Sequence, residues 1–145
     1  MITCGLDLGT GSVKGVLLED DARILATHTR PAKGTPASLA ADTLQALTGE
    51  ANLMPGEVDS VCTTGFGRYA YPERDLQASD ITASARGAWF LHPATRHVLD
   101  IGSHYLHQGV LLSELGYEVT GIDVELFTSA AFVKERARAF GVHNR

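Results

Sequence analysis

Residues 2–18 contain two short apolar runs separated by a glycine-rich turn, which predicts a β-hairpin at the start of the chain. The runs are Ile2 to Leu8 and Val13 to Leu18, and the turn reads Gly9-Thr10-Gly11-Ser12. Glycine leaves backbone N–H groups uncovered, and successive N–H groups bind anions. Asp7 at the strand end supplies a carboxylate, and Lys14 supplies a cation. We therefore expect a site for a metal-bound phosphate, with a nucleotide as the ligand.

The same hairpin also has a plainer interpretation. Gly9 and Gly11 suit a tight turn whether or not a ligand binds there. Lys14 falls on the opposite face of its strand from Val13, so it is either a phosphate partner or a solvated strand residue. The residues by themselves leave both interpretations open.

The composition is typical of a globular domain with a single core. The 145 residues are 44% hydrophobic and 20% charged. The net charge is −5 and the basic residues are scattered, so the basic stripe of a nucleic-acid-binding protein is missing. The amino terminus has no basic leader, and no run approaches the roughly 20 apolar residues of a membrane helix. We expect a cytoplasmic protein that binds neither nucleic acid nor membrane.

The two cysteines, Cys4 and Cys62, both fall in predicted strands among apolar neighbours. Their separation matches no metal-ligand spacing. We expect two buried free thiols.

The next predicted elements are a strand and a helix. Ile24 to Thr29 follows a polar turn and pairs back on the hairpin as a third antiparallel strand. Thr35 is a suitable N-cap with Pro36 at the first helical position, and the helix stops before Pro55-Gly56. Its apolar residues recur at helical spacing: Ala40, Leu44, Leu47 and Ala51.

The rest of the chain alternates strands and helices, which predicts parallel pairing. We expect an α/β fold with one mixed sheet of order 3-2-1-4-5-6, in which strands 1–3 are antiparallel and strands 4–6 are parallel with right-handed crossovers. The remaining predicted elements are a strand at Val58 to Thr63, a helix at Ile81 to Phe90, a strand at His97 to Ile101, a helix at Leu106 to Leu115, a strand at Glu118 to Ile122 and a helix at Thr128 to Phe140.

Four segments occur in an order and at a spacing that resemble one protein family. They are Gly5-Leu6-Asp7-Leu8-Gly9-Thr10 with Lys14, Thr64-Gly65-Phe66-Gly67-Arg68, the helix from Ser79 to Ala88, and Val98-Leu99-Asp100-Ile101-Gly102. Residues 1–102 are similar to the BadF/BadG/BcrA/BcrD-type ATPases, which include activators of 2-hydroxyacyl-CoA dehydratases and ATPase subunits of benzoyl-CoA reductases.

This resemblance implies a ribonuclease H-like fold of the actin and sugar kinase superfamily. In such proteins two acidic strand ends hold magnesium and phosphates between two lobes. The resemblance implies ATP and Mg²⁺ as cofactors, a dehydratase or reductase as partner protein, and Asp7 and Asp100 as catalytic and metal-binding carboxylates. The nucleotide-binding residues that it implies are Gly9, Thr10, Gly11, Ser12, Lys14, Gly65 and Gly102.

The chain departs from the family pattern after Gly102. The family continues with glycine, glutamine and aspartate, whereas this chain has Ser103-His104-Tyr105. Ala83-Ser84 replaces a cysteine-histidine pair, and the cysteine-containing segment that holds the family's iron-sulfur cluster is absent. We expect no iron-sulfur cluster. Without the second lobe we also expect weak nucleotide binding and little turnover.

Residues 97–145 resemble the start of a class I S-adenosylmethionine-dependent methyltransferase. The matching pieces are Val98 to Ser103 and the strand that ends at Gly121-Ile122-Asp123. In Rossmann-type turns a glycine admits the ligand, and an acidic residue about 20 positions later binds the ribose. The resemblance implies an S-adenosylmethionine site at Asp100, Gly102 and Asp123.

These resemblances divide the chain into two predicted regions. Residues 1–102 are an ATPase amino-terminal subdomain, and residues 103–145 are a Rossmann-like extension that shares the sheet of that subdomain. This pattern is expected of a natural fusion, of a gene remnant and of a laboratory chimera. Three functions stay open at this point. They are a truncated ATP- and magnesium-binding domain, a methyltransferase fragment with S-adenosylmethionine, and a non-catalytic module that acts as a scaffold or homodimer.

Overall fold

The computed structural model describes residues 1–144, with side chains at all positions except 55, 126 and 127. The chain divides into two compact units, Met1–Asp80 and a second unit that begins at Ile81. Each unit has its own sheet and its own hydrophobic core. The expected single core is therefore replaced by two. Within residues 1–144, no helix combines the length and the apolar character that crossing a bilayer requires.

The first unit is a five-stranded mixed sheet covered by one long helix. The sheet order is β3-β2-β1-β4-β5; β1 to β3 are antiparallel, and β4 is parallel to β1 and to β5. The elements are β1 (Ile2–Leu8), β2 (Ser12–Glu19), β3 (Arg23–Pro31), α1 (Pro36–Glu50), a 3-10 turn (Pro55–Glu57), β4 (Ser60–Thr64) and β5 (Leu76–Gln77).

Helix α1 begins as the sequence predicts. The Thr35 hydroxyl accepts a hydrogen bond from the Ser38 N–H at 3.3 Å, and Pro36 occupies the first turn. Its buried face packs on the sheet, where Gly15 of β2 leaves room for Leu47. This packing fixes the β1–β2 hairpin, which carries the predicted phosphate turn, against the hydrophobic core of the first unit.

The second unit is a three-stranded parallel sheet of order β6-β7-β8 with helices between the strands. Its core joins β7 to one helix that precedes it in the chain and one that follows it, through Leu112, Val119 and Val133. The elements are α2 (Asp80–Leu91), β6 (His97–Ile101), α3 (His107–Glu114), β7 (Glu118–Ile122), α4 (Glu125–Thr128), α5 (Ala131–Ala139) and β8 (His143–Asn144).

The α/β class and the order 3-2-1-4 of the first four strands are confirmed. The predicted neighbour of β4 is wrong. The sequence placed His97–Ile101 beside β4, whereas the structure has β5 (Leu76–Gln77) in that position. The strands predicted as fifth and sixth, β6 and β7, pair with each other in the second sheet. Two residues are too few to show the alternation by which a strand is recognised, so β5 left no pattern in the sequence.

Candidate functional site

Asp7 lies at the centre of the first sheet, near the end of β1. It is paired with Lys14 on the antiparallel strand β2 and with Thr64 on the parallel strand β4. The Lys14 ammonium donates a hydrogen bond to Asp7 Oδ2 at 3.1 Å. The Asp7 side chain is 38% exposed and the Lys14 side chain 55% exposed, so solvent reaches both groups.

A second glycine turn lies directly against the Asp7 carboxylate. Gly65, the residue after β4, has φ +83°, and a Cβ atom there would lie 2.5 Å from Asp7 Oδ1 and 2.9 Å from the Leu8 carbonyl. The following turn is tied back to β1, because the Gly67 N–H donates to the Leu8 carbonyl at 2.9 Å. Glycine at position 65 is therefore required for this approach.

The turn after β4 is also held by its own hydrogen bonds. The Thr63 hydroxyl donates to the Arg68 carbonyl at 2.7 Å, and the Arg68 guanidinium donates to the Gly65 carbonyl at 3.0 Å. These contacts fix the loop before any ligand binds. The loop therefore presents its backbone to Asp7 in a defined conformation.

Thr64 contributes a feature that sequence reasoning missed. Its hydroxyl oxygen is buried and has no hydrogen-bond partner among the described residues. A buried hydroxyl without a partner is unfavourable unless a water or ligand satisfies it. Thr64 is the β4 neighbour of Asp7, so a hydroxyl without a partner and a carboxylate are carried by adjacent strands. Its position at a strand end, directly before Gly65, was the signal available in the sequence.

The hairpin turn itself is open on one side and packed on the other. A Cβ atom at Gly9 would meet the Ser12 carbonyl at 2.8 Å, whereas a Cβ atom at Gly11 would meet nothing within 4 Å. Thr10 and Gly11 are exposed. The outer side of the turn therefore has room for a ligand group, and its inner side is fixed by close backbone packing.

A cavity of about 180 Å³ opens beside this turn. Residues of the two glycine turns line it, namely Gly9, Thr10, Phe66 and Gly67, and 85% of the Phe66 surface is exposed. Most of the remaining wall is apolar: Leu8, Val13, Ala32, Pro36 and Leu39.

The predicted residues of the second unit form a separate cluster at the ends of β6 and β7. Asp123 accepts two backbone hydrogen bonds of 2.6 Å, from the N–H groups of His104 and Val124. Asp100 Oδ2 is buried without a described hydrogen-bond partner. Burial, followed by the nearby Asp123 carboxylate, raises the pKa of Asp100 above its usual range. Gly102 has φ +79°, which its tight turn requires.

This cluster gives little room for the methionine-type ligand of the methyltransferase hypothesis. Leu106 is fully buried, and its Cδ2 atom lies 2.5 Å from where a Cβ atom of Gly121 would be. Both oxygens of Asp123 already bind backbone N–H groups in the loop. The structure therefore does not support an S-adenosylmethionine site at Asp100, Gly102 and Asp123.

The structure brings together Asp7, Lys14 and Gly65, with Thr64 beside them. The predicted turn residues 9–12 connect the two strands that carry Asp7 and Lys14. Asp100, Gly102 and Asp123 belong to the second unit. Among the side chains described, no three His, Cys, Asp or Glu residues are grouped so that they could hold a metal ion.

Comparison with known proteins identifies the family to which the chain belongs. The BadF/BadG/BcrA/BcrD ATPase family matches residues 4–105. The 2-hydroxyisocaproyl-CoA dehydratase activator of Clostridioides difficile is 37% identical over 102 residues, which are 70% of this chain and 38% of the activator. The chain thus spans about two fifths of the length of the curated relatives that it matches.

Solved structures give the same result for the fold. Component A of (R)-2-hydroxyglutaryl-CoA dehydratase from Acidaminococcus fermentans superposes with a TM-score of 0.61 at 26% identity, over 71% of this chain and 40% of that protein. The activator of the 2-hydroxyisocaproyl-CoA dehydratase from Clostridium difficile, with bound ADPNP, has a TM-score of 0.61 at 18% identity, over 99% and 87% of the two chains. The fold class expected from the sequence is confirmed, and the methyltransferase alternative receives no support.

Proposed function

Because the chain belongs to the BadF/BadG/BcrA/BcrD ATPase family, we propose that its first unit binds the phosphates of ATP at the β1–β2 turn. The observation that carries this proposal is the position of Asp7 between two glycine turns, with Lys14 beside it. A carboxylate, a cation and exposed turn backbone are the groups that a magnesium-bound phosphate requires. The residues proposed to contact the phosphates are Gly9, Thr10, Gly11, Ser12, Lys14 and Gly65.

Asp7 and the Thr64 hydroxyl are the groups proposed to hold the waters of Mg²⁺. Magnesium keeps several waters and usually takes one or two carboxylates together with substrate phosphates. One carboxylate and one hydroxyl therefore suit a metal that arrives with the nucleotide. When bound, Mg²⁺ supplies charge neutralisation to the phosphates, which is the main demand of phosphoryl transfer.

Asp100 and Gly102 are proposed as further nucleotide contacts on the strength of their motif. They end Val98-Leu99-Asp100-Ile101-Gly102, the last family segment in the chain. The unpartnered Asp100 oxygen is consistent with a ligand-binding role. The Ser103-His104-Tyr105 departure predicts that this contact is weaker than the one at the first hairpin.

The activity of the whole protein is also a proposal. The relatives are activators of acyl-CoA dehydratases, so we propose a dehydratase of that kind as the partner of an ATP-driven protein. The chain spans about two fifths of those relatives, and we expect it alone to bind nucleotide weakly and to turn over slowly. An ATPase without an iron-sulfur cluster, located in the cytoplasm, remains the expectation from the sequence.

Calorimetric titration with Mg²⁺-ADP tests the binding proposal. The Asp7→Asn variant should bind about tenfold more weakly or worse, a change of ~1.4 kcal/mol, because it removes the charge that holds the metal. Asp21→Asn is the matched control, since it removes the same charge from the exposed β2–β3 turn and should bind like the parent chain. Equal affinity in Asp7→Asn and the parent, or no binding by the parent at millimolar Mg²⁺-ADP, would overturn the proposal.

A further inference from the structure

We infer that Lys14 is an exchangeable counter-cation for Asp7, which keeps free Mg²⁺ out of the site until a nucleotide arrives. Without nucleotide, its ammonium neutralises the carboxylate. With nucleotide, the ammonium moves to a phosphate oxygen, and the Asp7 carboxylate is then free to hold a metal ion. This inference rests on the proposed function and adds to it a control of metal binding.

The geometry gives the two Asp7 oxygens different surroundings. Oδ1 faces the glycine turns, because the missing Cβ of Gly65 would lie 2.5 Å away and that of Gly9 3.9 Å away. Oδ2 accepts the hydrogen bond from Lys14 at 3.1 Å. The turn after β4 thus closes one side of the carboxylate and the lysine covers the other. A hydrated cation that approaches Oδ2 meets the ammonium first.

Electrostatics opposes simultaneous occupancy by lysine and metal. A dication beside an ammonium is repelled, so free Mg²⁺ has to displace Lys14 from Asp7 into water. A phosphate provides the ammonium with a new anionic partner close to the turn. Metal and nucleotide should therefore promote each other's binding, and the coupling is reciprocal.

The exchange requires that the ion pair is easy to break. Both side chains are more than one third exposed, and exposed ion pairs contribute little to stability. Lysine carries its charge on a flexible four-carbon stem, so the ammonium can reorient without backbone movement. Lys14 and Asp7 are also direct cross-strand neighbours, which keeps the ammonium within reach of the turn.

Manganese is a spectroscopic substitute for magnesium that tests the inference directly. Free Mn²⁺ is measured by electron paramagnetic resonance during titration of the chain, first with the metal alone and then with ADP present. The Lys14→Met variant should bind Mn²⁺ alone about threefold to tenfold more tightly than the parent, because the competing charge is gone. The same variant should bind ADP more weakly and lose most of the metal–nucleotide coupling.

Three further variants locate the effect. Lys134→Met removes an exposed lysine from α5 of the second unit and should match the parent in both titrations. Lys14→Arg keeps the charge and should restore the exclusion of free metal. Asp7→Asn in the Lys14→Met background should abolish the gained Mn²⁺ binding, and circular dichroism checks that each variant is folded.

The outcomes distinguish failure of the cation exchange from failure of the proposed nucleotide binding. If the parent binds Mn²⁺-ADP but Lys14→Met binds free Mn²⁺ no more tightly, the exchange is wrong while the nucleotide site stands. If the parent binds no Mn²⁺-ADP at all, both are wrong. Tighter free Mn²⁺ binding by Lys14→Met that does not depend on Asp7 would also overturn the exchange.

Discussion

Gly65 and Asp7 are in such close contact that a single methyl group at position 65 would lie 2.5 Å from the Asp7 carboxylate oxygen. Asp7 lies near the end of β1, and Gly65 directly follows the parallel neighbouring strand β4 at the same end of the sheet. Their contact places both glycine turns beside one carboxylate.

Gly65→Ala should destabilise the first unit by about 2–5 kcal/mol, which is the sum of about 1–2 kcal/mol for a left-handed backbone and about 1–3 kcal/mol for forced overlap. Its φ of +83° is unfavourable for alanine, and the added carbon would also press on the Leu8 carbonyl. Urea denaturation measures the change. Gly11→Ala is the control, since its added carbon meets nothing within 4 Å, and it should unfold at nearly the parent urea concentration. Equal losses in the two variants would contradict the contact.

Gly15→Ala tests the packing that holds the hairpin under α1. The added carbon would lie 2.6 Å from Leu47 Cδ1 and 2.9 Å from Thr43 Cγ2, and both of these residues are fully buried. Overpacking of this kind costs about 1–3 kcal/mol.

The control for this packing lies on the same helix. Gly49→Ala adds a carbon in open space near the end of α1, and it should stabilise the unit by about 0.5–1 kcal/mol because alanine favours helix. Thermal unfolding of the two variants should therefore shift in opposite directions. An unfolding temperature of Gly15→Ala equal to or above that of the parent would show that Gly15 is not needed for the fit of α1.

The sequence predicted the local elements of the first unit well. β1 has the predicted bounds, and the Thr35 cap and Pro36 start of α1 are confirmed, because each depends on residues close together in the chain. The site pair Asp7 and Lys14 also followed from the short turn between their strands. Pairing over longer distances was harder. β6 pairs with β7 as predicted, but its predicted pairing with β4 was wrong, because nothing local to His97–Ile101 encodes its other neighbour.

Part of the site could not be read from residue types. Thr64 became a candidate through the burial of its hydroxyl, which depends on the loop folded above it. In the second unit, the role of Asp123 depends on two backbone N–H groups that only the folded loop directs toward it. Its predicted role in ribose binding came from its distance in sequence from the glycine turn. That distance does not show whether the carboxylate already accepts hydrogen bonds from the protein.

Asp100→Asn should raise the unfolding temperature of the second unit at pH 7 by a few degrees. The folded pKa of Asp100 lies above its unfolded value, so the protonated form is the one favoured by folding. Its stabilising contribution is complete below the unfolded pKa of about 3.9 and is lost as the pH rises through the folded pKa. The benefit of asparagine should therefore appear at neutral pH and vanish near pH 3.5. Melting curves at both pH values check this, and a benefit that is equal at both would contradict it.

Asp123→Asn, in the same cluster, should change the unfolding temperature in the opposite direction and serves as the control. Asp123 accepts hydrogen bonds from two backbone N–H groups, and its charge strengthens both of them. Its replacement should lower the unfolding temperature at pH 7. If both asparagine variants stabilised the unit, simple charge reduction would explain the result better than the burial of Asp100.

The two thiols should differ in reactivity. Burial raises the pKa of Cys4 to about 12, and Cys4 is fully enclosed in the core, whereas Cys62 is half-buried. Burial also raises the pKa of Cys62. A thiol reagent at pH 8 should modify Cys62 first and reach Cys4 after urea unfolds the chain. Mass spectrometry of the labelled peptides assigns each site, and simultaneous labelling in native buffer would contradict the burial of Cys4.

Amide chemical shifts during a titration with Mg²⁺-ADP test the central claim most directly. The account predicts that the backbone N–H resonances of Gly9, Thr10, Gly11 and Gly65 move together with one binding curve, and that those of Gly49 and Gly116, both outside the site, stay in place. The Asp7→Asn variant should lose this response while keeping its dispersed spectrum. Saturable shifts at other positions with Gly9, Gly11 and Gly65 unmoved would show that the phosphates do not bind at the β1–β2 turn.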